Sequence, residues 1–151
     1  MNELELLICP LEREGQRPAL PAYQTEGAAA RDIAAFLPEG ELVIPAGGRA
    51  LVPTGLTMAV PKGWAALLLA RSGLAAKKGV TLANGVGLID SDYRGEVKVA
   101  MVNLSNEDFT VRNGDRIAQL MLVPAAFFAV RETGALDETA RGAGGFGSTR
   151  I

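Results

Sequence analysis

The chain has 151 residues, a formal charge of −2 and a pI near 5.2, and it contains one cysteine and no histidine. This length predicts a single domain with a sizeable core. The slight acidity argues against a general nucleic-acid binder, which would carry a basic surface. The lack of histidine excludes Ser-His and Cys-His nucleophile pairs and the usual zinc sites, so any catalysis must use carboxylates or a metal held without imidazole.

The N-terminal residues 4–10 are mostly apolar but are interrupted by Glu5 and follow no basic leader. This pattern does not predict a signal peptide. No apolar run reaches the roughly 18 residues of a membrane helix, so we predict a cytoplasmic protein with no membrane partner. Cys9 is predicted to be a small core residue rather than a reactive thiol.

Two segments before residue 80 have an ambiguous pattern. Residues 27–36 are rich in alanine and would be helical by propensity, which is a weak guide. Residues 71–79 predict a two-turn helix with Ser72 as N-cap and Gly79 at the C′ position. The start of this helix would place Arg71, a hydroxyl and free N–H groups together, which suits a phosphate, although an ordinary capped helix explains the pattern as well.

Turn residues recur at short intervals between residues 38 and 114, which is typical of an all-β sandwich or barrel. The strands predicted between these turns are residues 42–44, 50–52, 56–60, 65–69, 97–104, 109–111 and 117–124. The last of them is apolar except for Gln119, so both of its faces should be buried. Gln119 is then either a satisfied core amide or a functional group that points into a cleft.

Residues 85–96 include a turn, Asp90 to Gly95, that carries two carboxylates, a phenol and a guanidinium between apolar runs. The runs at 86–89 and 97–101 predict two strands joined as a hairpin. Asp90, at the end of a buried strand, could hold a water as a general base, and Tyr93 could offer a flat face to a sugar or base. A solvated turn rich in aspartate is the alternative.

The C-terminal residues 141–150 have four glycines within six positions, arginines at both ends and one aromatic ring, Phe146. Gly142, Gly144 and Gly147 match the letters of the dinucleotide fingerprint, but no strand precedes them and no helix can follow. The segment is either a disordered tail or an arm that closes over a nucleotide.

Five segments in order resemble the motifs of the homotrimeric, all-β dUTPase family: residues 29–33, 71–75, 87–96, 114–120 and 141–149. The resemblance spans nearly the whole chain. It implies an all-β distorted jelly roll or β-barrel with one short helix, in which residues 28–36 are loop and strand. It also implies a barrel domain over residues 1–136, a flexible arm over 137–151, and a homotrimer that exchanges its arms and forms its active sites between subunits.

The resemblance further implies Mg²⁺-dependent hydrolysis of dUTP to dUMP and pyrophosphate, which keeps uracil out of DNA and supplies dUMP for thymidylate synthesis. Asp90 would position the water that attacks the α-phosphorus. Asp32 would be an outer-sphere partner of Mg²⁺, which the triphosphate itself would mainly hold. Tyr93 would lie beneath the deoxyribose and exclude a 2′-hydroxyl.

The remaining roles also come from the resemblance. The uracil pocket would be formed by Asn84, Gly85 and Val86, and the phosphates would be bound by Arg71, Ser72, Gly73 and Gln119. From the arm, Phe146 would cover the uracil, while Arg141, Gly147, Ser148 and Thr149 would meet the phosphates. Ala30 stands where the family usually has glycine, which puts a Cβ close to Asp32 where the backbone could need a positive φ.

Two alternatives stay open at this point. A dCTP deaminase shares the fold but uses a glutamate at the base and lacks the full arm, and ammonia release from dCTP would identify it. A non-enzymatic, dUTP-responsive trimer would regulate a partner protein through its surface. The intact set Asp90, Tyr93, Gln119 and Arg141 argues against this second alternative.

Overall fold

The computed structural model describes residues 4–147 and contains ten strands and one short helix within them. All strand pairs are antiparallel. The elements are β1 (Leu7–Pro10), β2 (Arg31–Ala34), β3 (Glu41–Ile44), β4 (Arg49–Ala59), β5 (Trp64–Leu69), α1 (Ser72–Lys78), β6 (Val80–Leu82), β7 (Gly87–Ile89), β8 (Val97–Asn103), β9 (Phe109–Arg112) and β10 (Arg116–Pro124).

The strands form three sheets around one core. Two sheets have four strands each, in the orders β1-β4-β8-β6 and β2-β10-β5-β7, and β3 pairs with β9 alone. Side chains from all three sheets, among them Ile33, Val52 and Val111, form one buried hydrophobic cluster. The predicted all-β class with a single short helix is therefore confirmed for the described residues.

Propensity fails at residues 27–36, where the chain forms β2 rather than a helix. Ile33 is almost fully buried, and β2 is hydrogen-bonded to β10. Tertiary pairing and burial outweigh the small intrinsic preference of alanine for helices. The loop-and-strand expectation for this segment is confirmed.

Helix α1 starts one residue earlier than predicted. Arg71 is the N-cap, with extended backbone angles and no side-chain capping bond, and Ser72 is the first helical residue, so its prediction as N-cap was wrong. Gly79 closes the helix with φ of 65°, as expected of a C-terminal glycine.

The predicted turn at residues 53–55 is instead a bulge inside the single long strand β4. The register of β4 against β8 shifts between Pro53 and Leu56, and Gly55 has φ of 67°. The hydroxyl of Thr54 donates to the Val97 carbonyl at 2.6 Å. A side-chain hydrogen bond thus substitutes for the interrupted ladder, and the strand continues.

The predicted hairpin between β7 and β8 was also wrong. Strand β7 pairs with β5, whereas β8 pairs with β4 and β6, so residues 90–96 cross from one sheet to the other. This connection of seven residues is longer than the usual hairpin loop. It therefore spans the gap between two sheets, and a cavity opens beneath it.

Two further features concern the chain ends. Cys9 is exposed on the edge strand β1, so its prediction as a core residue was wrong: it lies on the outward-facing side of β1 with Leu7.

Beyond Pro124 the chain runs to residue 147 without helix or strand. Over residues 4–147, no helix combines the length and apolar character needed to cross a membrane.

Candidate active site

A cavity of about 470 Å³ lies beneath the crossover at residues 90–96. Its wall includes Asn84, Asp90, Tyr93, Glu96 and Lys98. Three of the predicted site residues, Asn84, Asp90 and Tyr93, therefore meet around one cavity. A volume of this order suits a small-molecule ligand.

The turn that contains Asp90 and Tyr93 is closed by its own hydrogen bonds. The Tyr93 hydroxyl donates to the Glu96 carbonyl at 3.0 Å, and the Arg94 guanidinium donates to the carbonyls of Ser91 and Tyr93 at 2.8 and 2.9 Å. Gly95 is required beneath the phenol, since a methyl group there would stand 2.5 Å from the Tyr93 hydroxyl oxygen. The Tyr93 side chain is thus held against the backbone of its own turn.

Glu96 connects this turn to distant parts of the chain. Its carboxylate accepts two hydrogen bonds from the Arg13 guanidinium, at 2.6 and 3.1 Å, and one from the Gly55 N–H at 2.9 Å. Burial raises the pKa of Glu96, but the hydrogen bonds from Arg13 and Gly55 and the charges of Arg13 and Lys98 outweigh it and hold the pKa below its ordinary value. Glu96 is therefore an ionised anchor of the turn.

A second polar cluster surrounds Asp32 on β2. The carboxylate is nearly buried, and its Oδ2 lies 3.0 Å from Arg116 Nη1 and 3.7 Å from Arg71 Nε. Gln119 Nε2 lies 3.5 Å from the other oxygen, Oδ1. Arg116 also donates to Gln24 Oε1 at 2.9 Å. Asp32 thus holds two guanidinium groups and the predicted phosphate ligand Gln119 together.

The other predicted residues near this cluster are exposed. Ser72 and Gly73 form the start of α1, directly after Arg71, whose Nη1 donates to the Arg116 carbonyl at 2.7 Å. Ala30 does not have a positive φ, so the alanine at this position introduces no left-handed strain beside Asp32. Gly85 and Val86 lie in the exposed turn after Asn84, where Gly85 has φ of 71°.

The two polar clusters are far apart within one chain. Asp90 directly follows Ile89 on β7, and Ile89 pairs with Ala66 on β5. Ala66 lies five residues before Arg71 on the same extended segment. At about 3.3 Å per residue, Ala66 and Arg71 are roughly 17 Å apart, and Asp90 lies beyond Ala66, farther from Arg71. Asp90 and Arg71 therefore lie at separate places within one chain.

Residues 126–147 form a segment that stands apart from the rest of the chain. Within the described part, their hydrogen bonds join only residues of the same segment, such as Arg141 Nε to the Gly144 carbonyl at 2.8 Å. Phe146 is fully exposed with φ of 52°, and Gly147 has φ of 90°. Ser148 and Thr149 lie outside the described residues.

Three residues with contacts in the two clusters, Arg13, Gln24 and Arg116, were not predicted as site residues. Arg116 follows Gly114-Asp115 inside the fourth segment that resembles a dUTPase motif. That position could have indicated Arg116 as a site residue. Arg13 and Gln24 lie in irregular N-terminal chain, and their partners are more than 80 residues away. No local pattern indicates such contacts.

The fold and the two polar clusters define an all-β protein with a cavity of small-molecule size and a separate cluster that contains two arginines. The dUTPase family model matches residues 17–150. The deoxyuridine 5′-triphosphate nucleotidohydrolase of Rhizobium meliloti (strain 1021) is 54% identical over 136 residues, covering 89% of this chain and 85% of that protein. The protein of the same name from Desulfitobacterium hafniense (strain DSM 10664 / DCB-2) is 48% identical over 152 residues, covering 100% and 99%.

Solved structures agree. A mutant dUTPase of Staphylococcus bacteriophage 80alpha with dUpNHpp has a TM-score of 0.85 at 20% identity, covering 97% of this chain and 99% of that one. The dUTPase from Streptococcus mutans has a TM-score of 0.68 at 31% identity, covering 74% and 89%. The chain therefore belongs to the dUTPase family, and its activity is that of a dUTP diphosphatase, an enzyme that hydrolyses dUTP. The relatives favour this enzyme over the deaminase and the non-enzymatic module.

Proposed function

We propose that the chain hydrolyses dUTP to dUMP and pyrophosphate with the help of Mg²⁺, and that Asp90 activates the attacking water. The observation that carries this proposal is the place of Asp90 in the wall of the nucleotide-sized cavity, on the same turn as Tyr93. The hydrogen bonds of the turn hold that wall in one conformation, as a positioned base requires.

In the proposed reaction the Asp90 carboxylate accepts a proton from the water. The water oxygen bonds to the α-phosphorus, and the bond from this phosphorus to the bridging oxygen toward the β-phosphorus breaks. Pyrophosphate leaves with the electron pair of that bond. No imidazole is needed, which agrees with a chain that contains no histidine.

Substrate selection would take place in the same cavity. The Asn84 side chain carries both a donor and an acceptor and, with the backbone of Gly85 and Val86, would recognise the edge of uracil. The Tyr93 ring would lie beneath the deoxyribose, where a 2′-hydroxyl would collide with it. Both side chains line the cavity that contains Asp90.

The phosphates would be bound by Arg71, Ser72, Gly73 and Gln119. The support for this proposal is the Asp32 cluster, which concentrates Arg71, Arg116 and Gln119 on one side of the β2-β10-β5-β7 sheet. Asp32 would orient these donors while it neutralises part of their charge.

Asp32 would be an outer-sphere partner of Mg²⁺. Over the described residues, no group of three Cys, Asp or Glu side chains could hold a metal ion. Asp32 Oδ1 receives only the long contact from Gln119, so it keeps the capacity to accept a hydrogen bond from a metal-bound water. When bound to the triphosphate oxygens and waters, Mg²⁺ would withdraw charge from the phosphates.

The active enzyme would be a homotrimer with sites between subunits. The support for this is the distance of roughly 17 Å or more between the Asp90 wall and the Arg71 cluster of one chain. A neighbouring subunit would bring its Arg71 cluster to the cavity of the first. The arm over residues 137–151 would close the site, with Phe146 on the uracil and Arg141, Gly147, Ser148 and Thr149 at the phosphates.

In the cell, this reaction would take place in the cytoplasm, where it would remove dUTP before its incorporation into DNA and supply dUMP for thymidylate synthesis.

Pyrophosphate release from dUTP, UTP, dTTP and dCTP, measured side by side, tests the proposal. We expect efficient cleavage of dUTP alone, and a loss of about 10²- to 10⁴-fold in kcat for Asp90→Asn, the range for a general base. Wild-type turnover by Asp90→Asn would contradict the assigned base, and equal cleavage of UTP would contradict the role of Tyr93.

A further inference from the structure

The ion pair between Arg13 and Glu96 differs from an ordinary surface pair. It joins two residues 83 positions apart through two parallel hydrogen bonds, and the Glu96 side chain is only 13% exposed. By contrast, Arg112 and Glu41 pair at 3.5 Å with side chains that are 71% and 54% exposed. Two-point contact between a guanidinium and a shielded carboxylate gives directional as well as electrostatic restraint.

Arg13 is itself held in place on its own side. Arg13 and Gln16 exchange backbone hydrogen bonds of 3.0 and 2.8 Å around a tight turn. Glu14 and Gly15 in this turn have φ of 49° and 67°, and a non-glycine residue adopts that conformation only where its surroundings impose it. The guanidinium carbon also lies 5.8 Å from the centre of the Phe36 ring.

The bulge of β4 gives a second connection between the N-terminal segment and Glu96. The Gly55 carbonyl accepts the Leu11 N–H at 2.7 Å, and the Gly55 N–H donates to the Glu96 carboxylate at 2.9 Å. The bulge therefore contacts both the N-terminal segment and the turn. A side chain at Gly55 would need a left-handed φ and would press on Phe36, so glycine is required there.

Glu96 is the link from this anchor to the cavity. Its side chain accepts hydrogen bonds from Arg13 and Gly55, while its backbone carbonyl accepts the Tyr93 hydroxyl at 3.0 Å. Glu96 and Tyr93 both line the cavity. Movement of Glu96 would therefore change the position of the Tyr93 ring.

We propose that Arg13 is a positioning residue for substrate selection, which acts through Glu96 to fix the Tyr93 ring against the sugar of the nucleotide. The proposed role requires no contact between Arg13 and the substrate. Arg13 also lies outside the five segments that resemble dUTPase motifs. The inference rests on the proposed role of Tyr93 as the wall beneath the deoxyribose.

The test compares kcat and KM for dUTP and UTP in the wild type, Arg13→Met, Tyr93→Phe and the double variant. Arg13→Met removes the two-point contact, and Tyr93→Phe keeps the ring but removes its hydrogen bond to Glu96. For each single variant we expect a higher KM for dUTP and a fall of roughly three- to tenfold in the dUTP-to-UTP ratio of kcat/KM, the effect of one neutral hydrogen bond. The double variant should lose little more than Tyr93→Phe alone, because both changes break one chain of contacts.

The matched control is Arg112→Met, which breaks the exposed pair with Glu41 and should leave the selectivity ratio unchanged. If Arg13→Met does not fold, Arg13→Lys takes its place, since lysine keeps the charge but cannot form the two-point contact. Where both fold, the lysine variant should show a smaller loss of selectivity than the methionine variant.

A folded Arg13 variant with wild-type KM and selectivity, even with reduced thermal stability, would overturn the inference and leave Arg13 a structural residue. Additive losses in the double variant would also overturn it. The wild-type assay separates this inference from the proposed function: equal cleavage of UTP by the wild type would refute the role of Tyr93 itself.

Discussion

The turn at residues 90–96 and the C-terminal segment at residues 126–147 are both irregular and exposed, yet their contacts differ. The turn is tied to the bulge of β4 and to Arg13 by hydrogen bonds from outside its own sequence. The C-terminal segment has hydrogen bonds only within itself over the described residues. Within the described residues, irregular structure is held either by hydrogen bonds from distant segments or only by its own, and the origin of the hydrogen bonds distinguishes the two cases.

The largest expected effect compares the same truncation in the core and in the C-terminal segment. Leu56 is fully buried and Leu136 is 84% exposed. Leu56→Ala should lower the free energy of unfolding by about 2–5 kcal/mol, because a cavity remains in the core. Leu136→Ala should change it by less than about 0.5 kcal/mol. Chemical denaturation measures both changes in the free energy of unfolding. Equal changes for the two variants would show that the C-terminal segment is packed as closely as the core.

Removal of residues 137–151 should separate catalysis from folding. We expect activity on dUTP to fall on the order of 10²-fold, because the groups that position the substrate are lost, while the thermal midpoint of the barrel stays near that of the full chain. Steady-state kinetics and thermal unfolding of the same preparation provide the measurement. Full activity of the shortened chain would contradict the proposed arm.

A mixing experiment provides the control for that truncation. Asp90→Asn subunits and shortened subunits, each weakly active alone, should regain activity when they are unfolded and refolded together. If the subunits mix at random, roughly a quarter of the sites would combine an intact Asp90 with an intact arm from another chain. No recovery in confirmed mixed trimers would contradict sites shared between subunits.

A smaller effect is expected from pH at the anchor of the turn. The pKa of Glu96 is lower in the folded chain than its ordinary value, so the unfolded chain binds the proton more tightly. The stabilisation by Glu96 is therefore present above its ordinary pKa and is lost as the pH falls through the lower, folded value. We expect the free energy of unfolding at pH 7 to be about 1–3 kcal/mol higher for the wild type than for Glu96→Gln, the range for hydrogen bonds to a charged group.

The difference between the wild type and Glu96→Gln should shrink as the pH falls below the ordinary pKa of glutamate and through the lower pKa of Glu96 in the folded chain. Urea unfolding of both proteins between pH 7 and pH 3 measures this difference. A difference that stays constant over this range would show that the charge of Glu96 does not stabilise the fold.

The smallest effect is expected at the exposed pair of Arg112 and Glu41, which joins β9 and β3 at their surface. Arg112→Met should change the free energy of unfolding by no more than about 0.5 kcal/mol, because solvent and salt screen such pairs. Denaturation at low and high salt measures it. A cost above 2 kcal/mol would mean that this pair, like Arg13 and Glu96, restrains the fold.

Much of the fold could be predicted from the sequence. Short apolar segments between turn residues indicated the strands, and Gly79 indicated the end of α1, because strand alternation and helix termination depend on neighbouring residues. The pairing of the strands was harder to predict from the sequence. The hairpin predicted at residues 90–96 and the turn predicted at residues 53–55 both failed because a crossover and a bulge are decided by distant partners, such as Val97 for Thr54.

The candidate site divides in the same way. The proximity of Asp90 and Tyr93 could be predicted because they lie on one short turn. The tertiary structure brings Asn84 to them around the cavity. The contacts of Arg13, Gln24 and Arg116 could not be predicted, since the partner of each is remote in sequence.

By itself, then, the sequence determined the all-β class and the family, because these depend on composition and on local order along the chain. Only the tertiary structure decided that residues 90–96 cross between sheets, that Glu96 is anchored by Arg13 and Gly55, and that the Asp90 and Asp32 clusters stand apart. These features depend on hydrogen bonds and burial between segments far apart in the chain, for which a local pattern carries no signal.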